Sequence, residues 1–155
     1  MNPEGNTANA QRPAPSAQRP ADRQEYDLED RLLEYAAQVI RLVDRIPRTP
    51  AGVHVAGQVL RSACSPLSNH GEAQAAESVD DFIHKLRVSL KELKESRRWL
   101  RLIQRVPLLK PESQVDALVN ETEELIRIFS ASIRTAQRRK VTGKPAASFA
   151  LNAES

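Results

Sequence analysis

The sequence predicts an all-α fold, an antiparallel up-down-up-down four-helix bundle, and three observations predict it. Aromatic residues make up 4% of the 155 residues and glycine occurs five times, which disfavours a β-sandwich of aromatic and β-branched strands broken by glycine turns. Long stretches rich in Leu, Ala, Glu and Arg favour helix instead. Within them apolar residues recur at steps of three and four, while the ten prolines cluster outside.

Residues 1–24 hold four prolines, many Ala and Gln, and almost nothing to bury, the composition of a disordered arm. The bundle is expected over 25–140 and a flexible tail over 141–155. A first helix is expected over about Leu28–Ile46, with Leu28, Leu32, Tyr35, Ala36, Val39, Val43 and Ile46 on one face. Pro47-Arg48-Thr49-Pro50 ends it, because proline cannot continue the hydrogen-bond ladder. A second helix is expected from near Ala51 to about Ala76, striped by Val53, Ala56, Val59 or Leu60, Ala63 and Leu67. The third covers about Ser78–Val106, with Asp80 and Asp81 in its first turn, where the helix dipole favours carboxylates. Its core stripe is read as Ile83, Leu86, Leu90, Leu93 and Leu100, with Arg97 falling in the middle of it. The fourth starts at Pro111 and continues to about Arg139, with Val115, Leu118, Val119, Thr122, Leu125, Ile126, Phe129 and Ile133 inward. Four such helices joined by short links can bury their stripes only against one another.

Composition excludes several classes. No apolar run approaches the roughly 20 residues that cross a bilayer, and the polar N-terminus is unlike a secretory signal. A single cysteine, Cys64, can form neither an internal disulfide nor a cysteine-based zinc site, and a cytoplasmic location follows as the default. His70-Gly71-Glu72 has the His-x-Glu spacing of zinc deaminases but lacks the Pro-Cys-x-x-Cys that must follow. His54, His70 and His84 have no ligand spacing, and no phosphate loop or nucleophile elbow is present. No metal, cofactor, catalytic residue or small-molecule substrate is therefore expected. With net charge +3 and a pI of about 9.3, any nucleic-acid argument rests on where the charge sits.

On the second helix Arg61, Ser65, Asn69 and Glu72 follow at steps of four, four and three, in one row. Two readings stay open: a solvated face, or an internal hydrogen-bonded seam, since Ser and Asn are poor helix-interior residues. Arg61, Ser62, Ser65, Asn69, Glu72, Ala73, Ser78, Asp81, Phe82, Ile83, Lys85, Leu86, Leu90, Lys91, Glu92, Trp99 and Leu100 match, in order and spacing, a known pattern. By these residues the chain resembles the bacterial four helix bundle proteins, the 23S rRNA-intervening sequence protein family, more weakly over about residues 28–136. The resemblance implies a left-handed bundle that assembles as a ring, usually a homopentamer. It also implies kinship with the accessory protein of diversity-generating retroelements, a basic bundle that partners a reverse transcriptase and its RNA. No enzymatic activity is known for the family. Pro66, His70 and Gly71 depart from its pattern. A proline inside a helix costs about 3 kcal/mol unless the helix kinks. A bend or break near residue 65, with Ser65 capping a helix that restarts at Pro66, is therefore expected.

Between residues 85 and 105 stand eight Lys or Arg and two Glu. Arg87, Lys91, Lys94, Arg98, Arg101 and Arg105 follow steps of four and three and fall within roughly 80° of one another on a helix. They make a basic ridge about 27 Å long, able to meet several phosphates of RNA or DNA at once. Neither Glu92 nor Glu95 lies on it. Arg134 and Arg138 lead a second basic cluster late in the fourth helix. Stacking platforms for bases are missing, so contact would be to backbone. Trp99, Leu102, Ile103 and Val106 form a surplus apolar side of the third helix, read as an oligomer interface. The reading is a non-enzymatic homo-oligomer whose basic surface binds nucleic acid, RNA ahead of DNA, or a nucleic-acid-processing partner. The alternative is a protein-interaction scaffold whose ridge is merely solvated.

Overall fold

Local chemistry marks the helix limits. The structure, a computed structural model, describes residues 28–143. These hold α1 (Leu28–Val43), α2 (Pro50–Gln74), α3 (Val79–Arg105) and α4 (Ser113–Thr142). The arm of residues 1–24 and most of the tail lie outside the described residues. Thr49 Oγ1 accepts from the Gly52 amide at 3.1 Å and Pro50 takes the first helical position, so α2 starts with a satisfied cap. Ser78 caps α3 in the same way, accepting from the Asp81 amide at 3.1 Å. α4 starts after the proline instead of on it: Lys110–Pro111 is a cis bond within the link, and Glu112 precedes the first turn. α4 also enters the expected tail, reaching Thr142 before Gly143 closes it at φ 62°, a left-handed value natural to glycine.

Each helix packs on its chain neighbours, and α1 returns to touch α4, the closed up-down-up-down arrangement expected. The α2–α3 and α3–α4 pairs are the broad contacts. α1 meets α4 more sparsely and is clamped there by Arg31, which forks onto Glu121, and by Arg45, which donates to Gln114 and to the Lys110 carbonyl. Leu32, Val39, Val59, Leu86, Leu93, Leu100, Leu125 and Phe129 fill the core and are essentially inaccessible. Burying each such side chain contributes about 1.5–3 kcal/mol before entropy is counted.

The core also holds hydroxyls. Tyr35 on α1 meets Ser96 of α3 and Thr122 of α4, both at 2.8 Å. Thr122 donates its own proton to the Leu118 carbonyl at 2.6 Å. The phenol therefore donates to Thr122 and accepts from Ser96, and three helices are joined at one oxygen.

Several expected stripe positions move by one residue. Leu42 is buried where Val43 was expected, and Val55 where Val53 was. On α3 the inward line runs through Ser89 and Ser96, leaving Leu90 and Arg97 half-buried at its edge. Arg97 reaches Glu123 of α4 at 3.8 Å. α2 neither breaks nor restarts at Ser65: it is one helix with Pro66 inside it and buried. The Ser62 carbonyl loses its amide donor there.

Candidate nucleic-acid interface

The ridge is built by the α3 wheel. Arg87, Lys91, Lys94, Arg98, Arg101 and Arg105 are all exposed, and none forms an ion pair among the described residues. The other two cations of the segment are occupied: Lys85 binds Glu72 of α2, and Arg97 faces Glu123. The two carboxylates turn toward α2. Glu95 accepts from Arg61 at 2.8 Å and from the Trp99 indole at 3.5 Å. Glu92 is half-buried, with one carboxylate oxygen unpartnered among the described residues. Neighbouring helices thus remove the acids and the two off-ridge cations from the surface, leaving six positive side chains unopposed.

α4 extends the positive face. Arg97–Glu123, Gln104–Asp116 at 2.7 Å and Lys140–Asp80 set one antiparallel register between α3 and α4. In that register Arg134 sits level with Leu86 and Arg138 with Phe82, beside the Arg87 end of the ridge. Both are exposed, and they share Glu123's side of the helix by their spacing. Arg127, on the same side, pairs with Glu124.

The polar row of α2 resolves into a boundary with α3. Asn69 donates to the Ser65 carbonyl and hydroxyl at 2.9 and 3.0 Å, both residues half-buried. Arg61 and Glu72, more exposed, bridge to Glu95 and Lys85 at either end. Lys85 is held above its usual range by hydrogen bonding to and charge attraction from Glu72. The row clips two helices together. Burial raises the Cys64 thiol, which weakens it as a nucleophile.

The residues read as an oligomer interface separate. Ile103 is fully buried in the monomer core, a correction, since it cannot also face a neighbour. Trp99 is half-buried and packs edge-on against His54 with ring centroids 5.9 Å apart. Leu102 and Val106 remain exposed. Among the described residues no group of three or more His, Cys, Asp or Glu is placed to hold a metal ion. No helix is long and apolar enough to cross a membrane.

Comparison with known proteins agrees with this architecture. A solved structure of a protein of unknown function from the S23 ribosomal protein family of Bacteroides thetaiotaomicron is similar, with a TM-score of 0.64 and 31% identity. The similarity covers 69% of this chain and 98% of that one. No curated protein matches. The family model for 23S rRNA-intervening sequence proteins matches residues 24–131, spanning all of α1, α2 and α3 and most of α4, and the chain therefore belongs to the 23S rRNA-intervening sequence protein family.

Proposed function

We propose that this protein is a non-enzymatic, cytoplasmic, self-associating bundle that binds nucleic acid along its phosphate backbone, RNA ahead of DNA. It does so through the α3 ridge and the adjoining Arg134 and Arg138. In this reading it serves a nucleic-acid-processing partner, in the manner of retroelement accessory proteins that assist a reverse transcriptase, and it assembles as a small homo-oligomeric ring. The observation that carries the proposal is the absence of any ion pair at all six ridge cations, while Lys85 and Arg97 beside them are taken up. Unopposed guanidinium and ammonium groups spaced along a rigid rod suit a polyanion whose charges also repeat along a line. The described aromatic side chains do not suit base stacking: Tyr35, Phe82 and Phe129 are buried and Trp99 is packed on His54.

Neutralising four to six phosphates would make affinity fall roughly a hundredfold or more between 50 and 200 mM salt. A mobility-shift titration of the nuclease-treated protein with RNA and DNA at the two salt concentrations tests this. The triple variant Arg87→Glu, Lys91→Glu, Arg98→Glu is expected to lose at least tenfold in affinity and to flatten the salt dependence. Absence of salt-sensitive binding to any nucleic acid at micromolar protein overturns the reading and leaves a protein scaffold.

A further inference from the structure

The largest unexplained feature of the surface lies away from the ridge, where α1 meets α2. α1 exposes Leu33 at 55% and Ile40 at 45%, seven residues apart, and α2 exposes Val53 at 58% and Leu60 at 37%, again seven apart. The α2 row Val53, Gly57, Leu60, Cys64 carries no charged side chain. Between the helices a groove opens at the α1–α2 turn, lined by Val43, Ile46, Pro47, Val53, Ala56 and Leu60, with Asp44 and Arg48 at its rim. Gly57 leaves it shallow on one side, since nothing lies within 4 Å of where its Cβ would stand. Four large aliphatic side chains clustered on one face are more than scattered surface exposure explains.

The chain also exposes apolar side chains suited to such a groove. Leu102 and Val106, one turn apart at the end of α3, are exposed at 38% and 51% and do not line it. Arg105 lies between them in sequence, exposed and without an ion pair among the described residues, and Asp44 on the groove rim is in the same state. A projecting apolar pair with a cation thus matches a recess with an anion.

The chain's own ends are poorer occupants. Residues 1–27 contain no Leu, Ile, Val, Phe or Trp, and residues 144–155 contain only Phe149 and Leu151. The Lys140–Asp80 pair places the end of α4 beside the start of α3, at the opposite end of the bundle from the groove.

We infer that the α1–α2 groove receives Leu102 and Val106 of a second copy of this chain, a head-to-tail contact. The inference builds on the self-association part of the function proposed above and is independent of nucleic-acid binding. Because the two halves of the contact are different patches, each subunit offers one groove and one projection. Such contacts close into a ring when the rotation allows. Arg87, Lys91, Lys94 and Arg98 stay on the outside of every copy, and Arg105 lies at the seam between neighbours.

The test is light scattering of the full-length chain after nuclease treatment. Wild type is expected well above the 17.3 kDa of one chain. A groove variant, Val53→Asp with Leu60→Asp, and a projection variant, Leu102→Asp with Val106→Asp, are each expected at monomer mass. All four positions are exposed, and helical circular dichroism and thermal melting verify that each variant folds. An equimolar mixture of the two variants retains one intact groove and one intact projection, so it is expected to form a dimer and nothing larger. A monomeric wild type, a groove variant of undiminished mass, or a projection variant that still assembles overturns the inference. Loss of nucleic-acid binding with the masses unchanged would count against the proposed function alone.

Discussion

At Gly52 an added Cβ would stand 1.9 Å from the Pro47 carbonyl oxygen, a backbone atom that cannot step aside without moving the turn. Gly71 is exposed and has nothing within 4 Å of the same position. The two glycines sit in one helix and should respond oppositely. Gly52→Ala is expected to cost about 2–4 kcal/mol through displacement of the α1–α2 link. Gly71→Ala is expected to stabilise by about 0.5–1 kcal/mol, because alanine surrenders less backbone entropy in a helix. Urea unfolding of the two variants reads both signs. Tyr35 gives a third residue-scale test. Its phenol joins Ser96 and Thr122 inside the core, and burial raises it above its ordinary value of 10.0. Tyr35→Phe strands the Ser96 hydroxyl and is expected to cost about 1–2 kcal/mol at neutral pH. A group raised in the folded state contributes stability that is complete below its unfolded pKa and is lost as pH climbs through the folded one. Wild-type stability should therefore decline above about pH 10. Lys85, held up by Glu72, acts in the same direction, so the phenol's share is the part of the decline that Tyr35→Phe removes.

Among the elements, α2 carries the least expected feature, a proline kept inside an unbroken helix. The local argument for a break at Ser65 counted the lost backbone bond and the ring's clash with the preceding turn. It had no view of the partners, since α2 lies against α3 along most of its length and Pro66 itself faces the core. Tertiary packing outweighs the local penalty. Pro66→Ala is expected to restore the bond to the Ser62 carbonyl while giving up some ring burial. The opposing terms of about 3 and 1–2 kcal/mol leave a net stabilisation near 1 kcal/mol, measurable as a raised denaturant midpoint. The same division governs what was legible in the sequence. Helix number, order and approximate limits follow from periodicity and proline placement, which are local. The one-residue shifts, Leu42 for Val43 and Ser96 for Arg97, depend on which neighbour each face meets. Ser96 turns inward because Tyr35 of another helix needs a partner, and no spacing within α3 announces that. The ridge was legible for the converse reason, because exposure and like charge at steps of three and four need no neighbour to define them. Ile103 was misread because α3 is long enough for its buried stripe to drift round the helix, from Ile83 and Leu86 to Ile103.

Taken as a whole molecule, the protein separates its surfaces: cations on the outer side of α3 and α4, uncharged aliphatics between α1 and α2. The separation gives the two proposals a joint consequence. A ring of identical subunits presents several ridges, each about 27 Å long, to one polyanion. A strand short enough to touch a single ridge gains nothing from the ring. A long strand engages several, each further contact becoming intramolecular at high effective concentration. The groove variant Val53→Asp with Leu60→Asp keeps every ridge cation, so its affinity for an RNA of about ten nucleotides should match wild type within about twofold. For an RNA several times longer it should fall at least tenfold, with a shallower salt dependence, because fewer phosphates are neutralised per bound complex. Fluorescence anisotropy on the two lengths at fixed salt measures this. Equal loss on both lengths would mean that the groove residues touch RNA themselves, and equal retention would mean that one ridge does all the binding.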